Sequence, residues 1–241
     1  FKSNFMKIIS CLVLLLFYSC KKQNDQYSFQ NIDGPQVGDI ISFQSVSSIL
    51  VDADGVSLST IKVKVHPEAS TASRNVVFKI SGKARFSNGD TLQIVTVNTE
   101  GYATVSCRDT VAEPVQFKAM VDSFSIDTII QFLPALPDDM QLSADDYVLD
   151  STSGQSIVLT ATLFRDANRG VVSEGLKVYY RIVPLDTTIN FVYPVFQFAQ
   201  QRVAVITAEN PFKAGGRFTA EAKVVSASGD TIVKTIPFRV E

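Results

Sequence analysis

From Gly38 onward, apolar and polar residues alternate in short runs separated by Gly, Asn, Asp or Pro. Ile61, Val63 and Val65 form one such set, Val76, Phe78 and Ile80 a second, and Val115, Phe117, Ala119 and Val121 a third. A period of two sends alternate side chains to opposite faces. Each run therefore predicts a strand with one buried and one wet face, as in an antiparallel sandwich. Helical spacing is almost absent, so the expected fold class is all-β. Asn88-Gly89 and Ser228-Gly229-Asp230 supply the positive-φ residues that tight hairpins require. Cys107 alternates with Ala103 and Val105 and reads as a small core residue.

The pattern recurs. Leu50-Val51-Asp52 with Ile61, Val63 and Val65 aligns with Val148-Leu149-Asp150 and Leu159, Ala161 and Leu163. Val76, Phe78 and Ile80 align with Val178, Tyr180 and Ile182, Phe117-x-Ala119 with Phe218-x-Ala220, and Asp127-Thr128-Ile129 with Asp230-Thr231-Ile232. Four anchors in one order predict two copies of a single β domain, each long enough to bury its own core. The expected divisions are a first sandwich over 39–136 and a second over 137–241, joined through LPALPDDM, whose two prolines stiffen the connector.

The residues before the first sandwich differ in character. MKIISCLVLLLFYSC, residues 6–20, combines a basic Lys7, an apolar run of 11 residues interrupted by Ser10, and Ser19 ahead of Cys20. That run falls short of the roughly 20 apolar residues a spanning helix needs. A plain secretory signal and a structural segment are the alternative readings of these residues. The stretch resembles a bacterial lipoprotein signal peptide with its lipobox. The resemblance implies cleavage of residues 1–19 and lipidation of Cys20, with a polar tether over 20–38. It further implies a partner in the membrane, reached through that lipid, and a place in the bacterial cell envelope at the outer membrane, on its periplasmic or its surface face.

Composition narrows the function classes. With 46% hydrophobic against 19% charged residues, the body of the chain is globular rather than disordered. Removing residues 1–19 takes away Lys2 and Lys7 and no acid, leaving 20 basic against 24 acidic residues, a balance of −4. A net acidic chain without basic runs excludes an electrostatic nucleic-acid binder. Of three cysteines only Cys107 would remain free in the processed chain, so no internal disulfide is expected.

Asp54-Gly55, the strand at 61–65, the run Thr96-Val-Asn98-Thr-Glu100-Gly101-Tyr-Ala103-Thr-Val105, and Val115-x-Phe117-x-Ala119-x-Val121 together resemble the bacterial immunoglobulin-like domains of the invasin and intimin type. The resemblance covers residues 48–132 and, more faintly, 141–241. It implies tandem sandwiches used as stalk or adhesive modules, and no chemistry. In the second copy Arg202-Val203-Ala204 replaces Gly101-Tyr102-Ala103, which predicts a different hairpin there. An insertion at 186–198 has no counterpart in the first copy.

Candidate chemistry is sparse. His66 is the sole histidine, directly before Pro67, with no identifiable partners for a triad or metal cluster. No phosphate loop, Cys-x-x-Cys or Gly-x-Ser-x-Gly motif occurs. Neither catalysis nor a cofactor is therefore expected. Asp52 and Asp54 resemble the start of a calcium loop, but the twelve-residue pattern is absent after Gly55. The insertion INFVYPVFQF carries Phe191, Tyr193, Phe196 and Phe198 around Pro194 and is the candidate interaction surface. The expected function is a non-catalytic, lipid-anchored spacer or adhesive module with a protein partner. The alternative is a glycan- or ligand-binding surface lipoprotein beside an outer-membrane transporter. Burial of three or more of the four rings favours the first, and their clustering at the surface the second.

Overall fold

A computed structural model describes residues 37–67, 74–151, 156–188, 190–211 and 215–241. The signal-like segment and Cys20 lie outside these described residues. A four-residue helix, α1 (Val37–Ile40), leads into β1 (Ile41–Val46), β2 (Leu50–Asp52), β3 (Ser59–Val65), β4 (Asn75–Ile80), β5 (Arg85–Phe86), β6 (Leu92–Thr96), β7 (Tyr102–Arg108), β8 (Pro114–Val121) and β9 (Phe124–Leu133). The second half follows with β10 (Asp139–Ala144), β11 (Val148–Leu149), β12 (Ser156–Phe164), β13 (Lys177–Pro184), β14 (Phe196–Phe198), β15 (Val203–Glu209), β16 (Gly216–Val225) and β17 (Thr231–Val240).

The first half stacks the sheet β1-β3-β7-β5 on the sheet β2-β9-β8-β4-β6, and the second stacks β10-β12-β15 on β11-β17-β16-β13-β14. These are two tandem immunoglobulin-like sandwiches wired alike. Each opens with a strand antiparallel to one sheet, then crosses over to pair in parallel with the last strand of the other. Only β5 lacks a counterpart among the described residues.

The alternating patterns place the cores. In β3 every second residue is buried, and Ile61 and Val63 pack with Phe78, Phe117, Ile130 and Phe132 in one cluster. Phe117 is fully buried, with ring centroids of Phe43, Phe78 and Phe86 at 6.2, 5.7 and 6.2 Å. The second cluster centres on Leu159, Leu163, Phe191, Phe218 and Phe238. Each such side chain contributes about 1.5–3 kcal/mol on burial. Cys107 is fully buried in the first core, and desolvation pushes its thiol up to about 12.

Strand register tests the internal alignment. Ile61 faces Val105 and Leu159 faces Ile206, while Val51 lies beside Phe132 and Leu149 beside Val240. The first two anchors therefore hold. The third slips by two: Phe78 pairs with Ala119 but Tyr180 with Ala222, so Phe117 corresponds to Ala220 and not to Phe218. The fourth fails, because Asp127 lies mid-strand opposite Lys118 whereas Asp230 precedes β17 in a turn.

The hairpin before β15 differs from the one before β7, as expected: three residues separate Asn98 from Tyr102, but two separate Gln200 from Val203, and there Gln201 and Arg202 both take positive φ. Gly101 has φ +84° and its carbonyl accepts the Val65 amide; Arg202 has φ +73° and its carbonyl accepts the Leu163 amide. What is kept is the last turn residue and its bond to the neighbouring strand, with arginine held in a left-handed conformation that glycine adopts freely.

Candidate interaction surface

The two sandwiches meet in a buried polar joint. The loop between β12 and β13 carries a short 3₁₀ turn (Ala167–Arg169), capped by the Asp166 carboxylate accepting the Asn168 amide. Beyond it, Val171 donates its amide to the Asp54 carbonyl and Glu174 to that of Thr110. Gly170 has φ +80°, and a Cβ there would stand 2.5 Å from the Asp54 carbonyl oxygen, so the close approach requires glycine. The fully buried Ser173 donates its hydroxyl to the Ala53 carbonyl at 2.7 Å and accepts the Ala135 amide at 2.7 Å. Arg169 pairs with Asp138 at 2.7 Å.

The calcium candidates serve this joint and its loops. Asp52 accepts from Arg165 at 3.1 Å, the arginine side chain being 4% exposed. Asp54 is buried and accepts the Val56 and Ser57 amides and the Ser57 hydroxyl. Burial alone would raise its carboxyl, but those hydrogen bonds hold it below the ordinary range. Among the described residues no group of three or more His, Cys, Asp or Glu is placed to hold a metal ion. His66 bonds through Nε2 with the Ser42 hydroxyl at 2.9 Å.

The aromatic segment divides, and its end is not an insertion, because β14 pairs with β13 as β6 pairs with β4 in the first copy. Phe191 is buried edge-on against Phe218 and Phe238, at 5.1 and 5.5 Å. Tyr193 is half-buried, its hydroxyl oxygen accepting the Ile182 amide. Phe196 and Phe198 are exposed, 36% and 51%, on the edge strand β14. With two rings held inward and two exposed, the four satisfy neither of the two outcomes set out above. Two anchor the segment and two leave it.

Exposed partners of Phe196 and Phe198 come from β13, which the sequence reading did not single out. Register places Tyr179 opposite Phe196 and Lys177 opposite Phe198 on the outer face. The Tyr179 and Phe196 rings lie 6.2 Å apart, Phe196 and Phe198 5.6 Å apart, and the Lys177 ammonium sits 3.9 Å from the Phe196 centroid. The signal was present as Lys177-x-Tyr179-x-Arg181, the polar-side half of a strand whose buried half had been recognised. Next to this face, Phe198 also lines an open groove of 720 Å³ with Val111, Glu174, Gln200 and Val205.

No protein-family model matches the chain, and no curated protein matches it in sequence. Solved structures match in fold. The adhesin InvE of Yersinia pseudotuberculosis aligns over 84% of this chain and 59% of its own, at a TM-score of 0.58 and 16% identity. Invasin, a bacterial integrin-binding protein, aligns over 83% of this chain and 39% of its own, at 0.53 and 16%. The chain thus has the fold of the immunoglobulin-like domains in invasin-type adhesins and spans under two thirds of either.

Proposed function

We propose that the chain is a non-catalytic cell-envelope module, anchored by lipid on Cys20, whose two sandwiches form a stiff spacer that presents an interaction face to a protein partner. The buried joint carries this reading: backbone hydrogen bonds and the Ser173 bridge tie the sandwiches together at several points, as a presenting stalk requires. Fold likeness to an adhesin and to an integrin-binding protein supports the adhesive sense. The test has two arms. Replacing Cys20→Ser should move the chain from the membrane to the soluble fraction, and spin labels placed one on each sandwich should report a single narrow distance. Unchanged partitioning of the variant removes the anchor, and a broad distance distribution removes the spacer.

A further inference from the structure

The outer face formed by β13 and β14 carries an aromatic and cationic cluster that the fold does not require. We propose that it binds an extended acidic segment of a partner protein, added as a strand along the free edge of β14. This rests on the reading of the chain as an interaction module and names the chemistry of its partner.

The edge itself is the first observation. Tyr180 donates its amide to the Val195 carbonyl, and Ala199 donates to that of Leu176. Antiparallel pairing alternates bonded and non-bonded positions. The amide and carbonyl groups of Phe196 and Phe198 therefore point away from β13, toward the open side of the sheet, where they form a template for another strand.

Charge selects the occupant. Lys177 and Arg181 stand on the same face as the rings, and no carboxylate pairs with either among the described residues. The facing acid, Glu221 opposite Arg181, is already engaged by Lys223 at 2.9 Å. On a chain of net charge −2 this is a local cationic patch, complementary to an acidic peptide. A strand laid along β14 would set its side chains beside Phe196 and Phe198, within reach of Lys177.

The duplication supplies an internal comparison. At the matching places of the first sandwich, Asn75 faces Thr96 and Val77 faces Ile94. The same scaffold stands there with no aromatic ring or cation at these four positions. What separates the copies is chemistry added to one face, since the strand pair of the first sandwich forms without it.

The probe is a six-residue capped peptide of alternating glutamate and valine, titrated calorimetrically against the full chain. Binding is expected, weakened at least tenfold by Phe198→Ala or Lys177→Ala and unchanged by Ile94→Ala in the first sandwich. A lysine-valine peptide and a Glu-Val peptide N-methylated at alternate amides should both fail. Absence of Glu-Val binding, binding indifferent to Phe198→Ala and Lys177→Ala, or equal binding of the N-methylated peptide overturns the proposal. So does capture of an acidic oligosaccharide in place of the peptide. Fractionation of Cys20→Ser reads the anchor alone, so either result stands without the other.

Discussion

The Ser173 hydroxyl of the second sandwich donates to the Ala53 carbonyl of the first, with both residues fully buried. Replacing Ser173→Ala strands that carbonyl and the Ala135 amide in a dry joint. Leaving a buried polar group unsatisfied costs about 1–3 kcal/mol. Denaturant unfolding should show a loss in that range, and the distance distribution between the sandwiches should broaden.

Gly101 and Arg202 give a matched pair of backbone tests. A valine at Gly101 must adopt φ near +84° and bring its Cβ to 2.6 Å from the Val65 carbonyl oxygen. A loss of about 1–3 kcal/mol is expected in chemical denaturation. Arg202→Gly relieves the same conformation in the second sandwich and should raise stability by up to about 1 kcal/mol. A null result at both positions would remove the claim that a left-handed backbone is strained for side chains at these two turns.

Asp109 should behave oppositely to Asp54 on a pH axis. Desolvation raises its carboxyl above the ordinary value, against the Val111 and Thr110 amides that pull it down, and its Oδ2 is buried without a partner. A raised folded pKa means the charged form is penalised in the fold. That penalty is absent below the unfolded value of about 3.9, grows as pH rises from there to the folded value, and is complete above it. Asp109→Asn should therefore stabilise the protein at neutral pH, with the gain vanishing near pH 3. For Asp54, held low, stability is present above the unfolded pKa and lost as pH falls through the folded one. Asp54→Asn should flatten the acid limb of the stability curve.

The two halves of the aromatic segment should separate in melting experiments. Phe191→Ala opens the cluster with Phe218 and Phe238 and should cost about 3–5 kcal/mol. Phe198→Ala, at an exposed position, should stay within about 0.5 kcal/mol.

Where a residue alternates in a strand, its burial was legible: Ile61, Phe78 and Phe117 all point inward as the period of two requires. That same period explains the misaligned anchor. A slip of two residues keeps every side chain on its face, so Phe117-x-Ala119 fits Phe218-x-Ala220 as well as it fits the true partners. Asp127 and Asp230 share neighbours in sequence but sit in a strand and a turn, because the β16–β17 pairing runs longer than that of β8 and β9. The joint was not legible. Ser173, Arg165 and Gly170 lie in loops without any period, and their roles depend on contacts made far along the chain. The face on β13 and β14 was half legible: the rings of Phe196 and Phe198 were visible in composition, but the outward direction of their amides follows only from the pairing of Tyr180 with Val195.

The parallel pairing of β2 with β9 decides how the first sandwich meets a mechanical load. Ala53 donates to the Leu133 carbonyl and Gln131 to that of Ile49, and the two strands run in the same direction. Tension drawn between the start of β2 and the end of β9 slides one strand along the other. These bonds then share the force at once instead of parting one by one.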